Sequence, residues 1–125
     1  TNQHRLQNIV ATILKRPLSV MSYEKFISRL DYSLVKSNTK VYPSIYPNWD
    51  SSPRRGVAGD ILTGASPDLF QKHVSEVADM MSHRDSDDNI IFLKSWNEWA
   101  EGNYMEPDLR YGRGRLEALK ASLGK

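Results

Sequence analysis

Residues 90–93, Ile-Ile-Phe-Leu, form an unbroken apolar run inside the segment NIIFLKSW, Asn89 to Trp96. Four apolar side chains in succession leave no polar face. A strand built from them is expected to be covered on both sides, as in a parallel sheet lying between helices. The rest of the chain supplies suitable helices. Ser66-Pro67-Asp68 reads as a helix start: a cap, a proline at the first position and an acid in the first turn. Leu69, Phe70, Val74, Val77, Met80 and Met81 then give a buried stripe. Leu6, Ile9, Val10, Ile13 and Leu14 predict an amphipathic helix over residues 3–15, ended by Pro17. A second helix is expected from Tyr23 to Leu34, with Ser22 as its N-cap. A last one carries Leu116, Leu119 and Leu123.

Between these helices the period changes. KVYPSIY, Lys40 to Tyr46, is rich in β-branched and aromatic residues and predicts a short strand, with Pro43 removing one ladder donor. Strands alternating with amphipathic helices indicate an α/β protein with parallel strands. Ligands in such folds bind where the strands end, at their carboxyl termini. Two unusual loops begin there: Pro47–Asp60, rich in Pro, Gly, Ser and Asp, and Asn97–Gly114.

The second loop holds the chemistry. SWNEWAEGNYMEPD, Ser95 to Asp108, brings together Glu98, Glu101, Glu106, Trp96 and Trp99. If the chain turns helically after Trp96, Glu98 and Glu101 are i, i+3 neighbours with Cβ atoms about 5–6 Å apart. Two close carboxylates tend to divide into an acid and a base, which is what breaking or forming a glycosidic bond requires. Indole faces suit the C–H faces of sugars, and Asn97, Asn103 and Tyr104 offer hydrogen bonds to hydroxyls. Asp50 and Arg54 in the first loop are candidates for substrate contact, since an arginine fork grips carboxylates and phosphates. Both residues serve equally well in an ion pair, the arginine with Asp50 or with a glutamate across the rim, and a loop ion pair is the expected role of Arg55. The bland alternatives stay open: Glu-x-x-Glu also decorates solvated helix faces, and three acids can hold Ca²⁺ or Mg²⁺. No metal-ligand spacing is present, so neither metal nor cofactor is expected. The three histidines, His4, His73 and His83, lack ligand-like partners in sequence. YGRGR, Tyr111 to Arg115, has the glycines of a phosphate loop without its spacing or lysine.

Composition narrows the partners. A net charge of +2 is too small to argue for nucleic acid or an anionic membrane surface. The absence of cysteine removes thiolate chemistry and fits a reducing compartment, so a cytoplasmic location is expected. No apolar run approaches the roughly 20 residues of a bilayer span.

SWNEWAEGNYMEPDLRYG, coupled in order to YPNWDSSPRRG and TGASPDLF, resembles the signature of the WbsX family of glycosyltransferases. The resemblance covers about Tyr23 to Leu119. It implies a role in bacterial O-antigen, lipopolysaccharide or capsular polysaccharide biosynthesis. The same segment is similar to glycoside hydrolase family 99, endo-α-mannosidases and endo-α-mannanases built as (β/α)8 barrels. Their Asn-Glu-Trp-His-Glu-Gly motif reads here Asn97-Glu98-Trp99-Ala100-Glu101-Gly102. By that resemblance Glu98 removes the proton of a sugar 2-hydroxyl, which attacks its own anomeric carbon. Glu101 protonates the leaving oxygen, and configuration is retained without a covalent glycosyl-enzyme. Ala100 stands where the hydrolases have histidine, Asn103-Tyr104 where they have Thr-Gln, and Ser51 where the related loop more often has asparagine.

A complete (β/α)8 barrel takes roughly 250 residues, and this chain has 125. The expectation is therefore the C-terminal portion of such a barrel, whose other partners are a glycan or sugar-containing substrate and the remaining N-terminal part of the same barrel. A non-catalytic glycan-binding module and a structural α/β domain are the competing readings.

Overall fold

The computed structural model describes residues 2–15, 17, 19–36 and 40–124. Helix α1, Asn2–Leu14, forms where expected. Its apolar stripe does not become core. Ala11 is buried, while Leu6, Ile9 and Ile13 stay exposed, Ile13 at 73%. Strand β1, Ser19–Ser22, is a strand that sequence periodicity does not flag, because four residues hold too little alternation to read.

Ser22 caps helix α2, Tyr23–Ile27, by accepting from the Lys25 amide at 3.2 Å. The single helix expected to reach Leu34 is broken in two. Asp31 Oδ1 accepts from the Ser33 amide at 2.9 Å and so starts a new helix, α3, Ser33–Lys36. A side chain that offers the backbone a local acceptor competes with helix continuation. Strand β2 is also shorter than expected, Ser44–Ile45. The Pro47–Asp60 loop contains helix α4, Ser52–Arg55, and one 3-10 turn, Gly56–Ala58, on which α1 rests. Strand β3, Asp60–Thr63, follows.

Helix α5, Pro67–Met81, starts at Ser66, whose hydroxyl accepts from the Leu69 amide at 3.3 Å. Phe70, Val74, Val77 and Met81 are fully buried along one face. Each such side chain contributes about 1.5–3 kcal/mol by leaving water. Strand β4 is Phe92–Leu93. The apolar run that was expected to be covered on both sides is covered on one. Ile91 and Leu93 pack on the core, and Phe92 is 56% exposed. Helix α6, Gly114–Leu123, packs along α5. Its contact face is Arg115, Ala118 and Ser122, flanked by Leu116 and Leu119, whereas Leu123 points outward. Small residues let the two helices approach closely enough for Ser122 Oγ to donate to the Gln71 carbonyl at 3.1 Å.

β1 pairs in parallel with β3, Val20 opposite Ile61, and β2 pairs in parallel with β4, Ser44 opposite Phe92. The core lies between the β2–β4 pair and the α5–α6 pair, with Val35, Ile45, Phe70, Val77 and Met105 at its centre. Among the described residues no helix is long and apolar enough to cross a membrane.

Candidate functional site

The site is built on a small hairpin. Strand β5, Asn97–Glu98, pairs antiparallel with β6, Asn103–Tyr104, and a 3-10 turn, Trp99–Glu101, joins them. Glu98 opens the turn by accepting from the Ala100 amide at 3.2 Å. Gly102 closes it at φ +50°, a left-handed conformation that glycine adopts without strain. Glu98 and Glu101 therefore stand at the two ends of a single turn.

Buried asparagines tie the hairpin to the two strands behind it. Asn103 is fully buried, and its Oδ1 accepts from the hydroxyl of Ser95, just past β4, at 3.0 Å. Its Nδ2 donates to the carbonyl of Asn48, just past β2, at 2.7 Å. Asn48 Oδ1 in turn accepts from the Tyr104 amide at 3.0 Å. Asn103, a sequence candidate for a sugar hydroxyl, is thus consumed by the scaffold. The Asp50 amide then donates to the Glu101 carbonyl at 2.8 Å. Main chains approach so closely here that a Cβ on Gly102 would lie 2.7 Å from the Asp50 carbonyl oxygen.

This docking brings the two loops' charges together. Arg54 Nη1 donates to Glu101 Oε1 at 2.9 Å, and Arg54 Nη2 lies 3.4 Å from Glu98 Oε1. Lys94 Nζ reaches the other oxygen of Glu101 at 3.1 Å and sits 5.1 Å from the Trp49 ring centroid. The acids, expected to face one another, instead share one guanidinium, and Glu101 carries a second cation. Its side chain is 18% exposed against 38% for Glu98. Asp50 points its carboxylate inward along its own loop, where Oδ1 accepts from the Ser52 amide at 2.9 Å and orients α4. Arg55 pairs with Asp60 at 2.7 Å, a loop ion pair.

The aromatic candidates divide. Trp96 and Trp99 are both more than half exposed. Trp99 stacks on Tyr104 with ring centroids 4.4 Å apart. Tyr104 donates its hydroxyl to Asp108 Oδ2 at 3.0 Å, and Arg115 lies 4.9 Å over its ring. Burial, followed by the bond to Asp108, pushes the Tyr104 phenol upward. Asn97 and Glu106 meet each other: Asn97 Nδ2 donates to Glu106 Oε1 at 2.6 Å, and Asn97 Oδ1 accepts the Met105 and Glu106 amides. That pair braces the hairpin.

Sequence reasoning missed Lys94, Asn48, and the Asp108–Arg115 pair. Asp108 Oδ2 takes Arg115 Nη1 at 2.5 Å, and Oδ1 takes the Arg110 and Tyr111 amides. Burial alone would raise the Asp108 carboxyl. The Tyr111 amide, Arg115 and Tyr104 outweigh it and hold the group below the usual carboxylate range. The available signal was YGRGR, whose second arginine falls on the inner face of α6.

The sequence matches the family Glycosyltransferase WbsX over residues 1–119. An uncharacterized protein WxcX of Xanthomonas campestris pv. campestris strain B100 is 37% identical over 84 residues, 66% of this chain. The WxcX protein of strain ATCC 33913 is similar to the same extent. The chain spans 12% of the length of these relatives. No solved structure matches it. With a signature that spans nearly all of its residues and a hairpin that gathers that signature's acids, the chain belongs to the Glycosyltransferase WbsX family, which ties it to carbohydrate chemistry.

Proposed function

We propose that this chain supplies the acid pair of a carbohydrate-active enzyme that transfers glycosyl units during assembly of a bacterial surface polysaccharide. The observation that carries the reading is the reach of Arg54 to both Glu98 and Glu101. It puts two acids, a fork able to hold an anion, and the exposed Trp96 and Trp99 on one rim. Two loops feed that rim from strand carboxyl ends: β2 into Asn48–Arg54 and β4 into Lys94–Glu101. That placement supports reading the chain as the C-terminal part of a (β/α)8 barrel, where loops of this kind carry the chemistry. A cytoplasmic location is part of the same proposal.

The chemistry follows the family 99 resemblance. Glu98 takes the proton of the 2-hydroxyl, whose oxygen attacks C1 as the C1–O bond breaks. Glu101 gives its proton to the leaving oxygen. An incoming hydroxyl then attacks C1 and breaks the C1–O2 bond of the resulting 1,2-anhydro sugar, while Glu101 takes its proton and Glu98 returns one to O2. If a sugar hydroxyl attacks, the reaction is transfer. If water attacks, it is retaining hydrolysis of the endo-α-mannosidase kind. Arg54 and Lys94 both contact Glu101, so the substrate competes with them for its two oxygens.

The test is Glu98→Gln and Glu101→Gln in the full-length protein, assayed with candidate nucleotide-sugars and mannan-type glycans. Each variant should lose roughly 10²–10⁴-fold in turnover with an unchanged melting temperature. Retained turnover in either removes it from the acid/base role. Glycan binding with no turnover in any form, wild type included, would make the rim a binding module.

A further inference from the structure

A second concavity adjoins the acid-bearing hairpin. It has a volume of about 360 Å³, within the range of small-molecule sites. It shares Asp50, Gly102 and Tyr104 with the hairpin region and includes none of Arg54, Glu98 or Glu101. Trp49 and Tyr111 supply aromatic wall, and Arg110 and Arg115 supply charge.

The charges in this hollow are unevenly satisfied. Asp108 accepts four hydrogen bonds, including one from Arg115, so its charge is answered internally. Arg115 is 5% exposed and spends Nη1 on Asp108 and Nη2 on the Ala65 carbonyl. Its Nε–H has no partner among the described residues and is buried away from the hollow, so Arg115 is structural. Arg110 lies 4.9 Å over the Tyr111 ring and makes no ion pair among the described residues. Asp50 has Oδ1 engaged by Ser52, leaving Oδ2 as an acceptor. The surplus is therefore an unpaired guanidinium and one carboxylate oxygen, set among aromatic walls.

We propose that this hollow binds one sugar unit that bears an anionic group, a carboxylate or a phosphate. The anion meets Arg110, and a ring hydroxyl donates to Asp50. The assignment rests on the carbohydrate reading above and adds a substrate class to it. The source of the anion separates two chemistries: a carboxylate belongs to an acidic sugar of the glycan, and a phosphate to a glycosyl-phosphate donor.

Ligand-observed NMR titrations of the full-length protein with D-glucuronate, glucose 1-phosphate and glucose test it. At least one of the two anions should bind about tenfold tighter than glucose, and the one that does identifies the source. Arg110→Gln, an exposed position whose melting temperature serves as the folding control, should reduce that preference to near unity. Asp50→Asn should weaken all three sugars alike. Equal binding of all three by the wild type, no binding of either anion, or a preference that survives Arg110→Gln overturns the proposal. None of these outcomes touches turnover in the glutamate variants, so failure of the subsite and failure of the acid pair are read separately.

Discussion

Arg54 and Glu101 meet at 2.9 Å although 47 residues separate them in the chain. One sits on a four-residue helix after β2 and the other closes a turn after β4. Their contact is where the two loops become one rim.

Replacing Arg54 with alanine should therefore act on turnover more than on stability. The guanidinium is half exposed, so its ion pairs contribute under about 1 kcal/mol. Loss of the fork that sets both acids should cost about 10²-fold in kcat/KM. Arg54→Lys keeps the charge but not the fork and should recover little. Steady-state kinetics alongside thermal melting checks both halves.

Gly102→Ala should do the opposite and damage the fold. The new methyl would require a left-handed alanine and would collide with the Asp50 carbonyl. The combined strain should exceed about 2 kcal/mol. Chemical denaturation should show the loss, and turnover should fall with it.

The pair Asp108–Arg115 is buried at 12% and 6% side-chain exposure. Asp108→Asn leaves a guanidinium without its counter-charge and should cost about 3 kcal/mol or more. Because the folded Asp108 carboxyl titrates below its unfolded value, its stabilisation is present above about pH 4 and disappears as pH falls through the folded value. Acid unfolding of Asp108→Asn should accordingly be shallower than that of the wild type.

His73 gives a second pH signature in a different window. It is 1% exposed, its Nε2 has no partner among the described residues, and burial lowers it from 6.5 to about 4. Between those values the unfolded chain holds a proton that the folded one excludes. Stability is thus full above pH 6.5 and declines toward pH 4, by up to ~3 kcal/mol. His73→Leu should flatten that decline, and its stability relative to wild type should be greater at pH 5 than at pH 7.5. Urea midpoints at the two pH values decide it.

The exposed stripe of α1 and the open face of Phe92 should make the 125-residue chain self-associate. Light scattering after size exclusion should report this, and Ile13→Glu should reduce it.

Legibility in the sequence followed from how local each signal was. Ser66-Pro67 marks α5 to the residue, because a cap and a proline act within one turn. The Glu98–Glu101 turn was readable for the same reason. Arg54 was named with Asp50 or a glutamate across the rim as its ion-pair partner, but the sequence does not say which, since nothing in it tells how loops dock. The strands were the hardest: β1 has four residues and β2 two, too few for a period. Asn103 misled because an amide beside a glutamate motif looks like a ligand-binding group until its burial is known. Leu123 misled because α6 meets α5 through Ala118 and Ser122, where small side chains replace an apolar stripe.

The bond from the Asp50 amide to the Glu101 carbonyl runs from main chain to main chain. It is indifferent to which side chains stand at 98, 99 or 101. Acids and aromatics at these positions can thus be exchanged without removing the bond that clasps the two loops. Position 102 lacks that freedom, because anything larger than hydrogen there pries the clasp open.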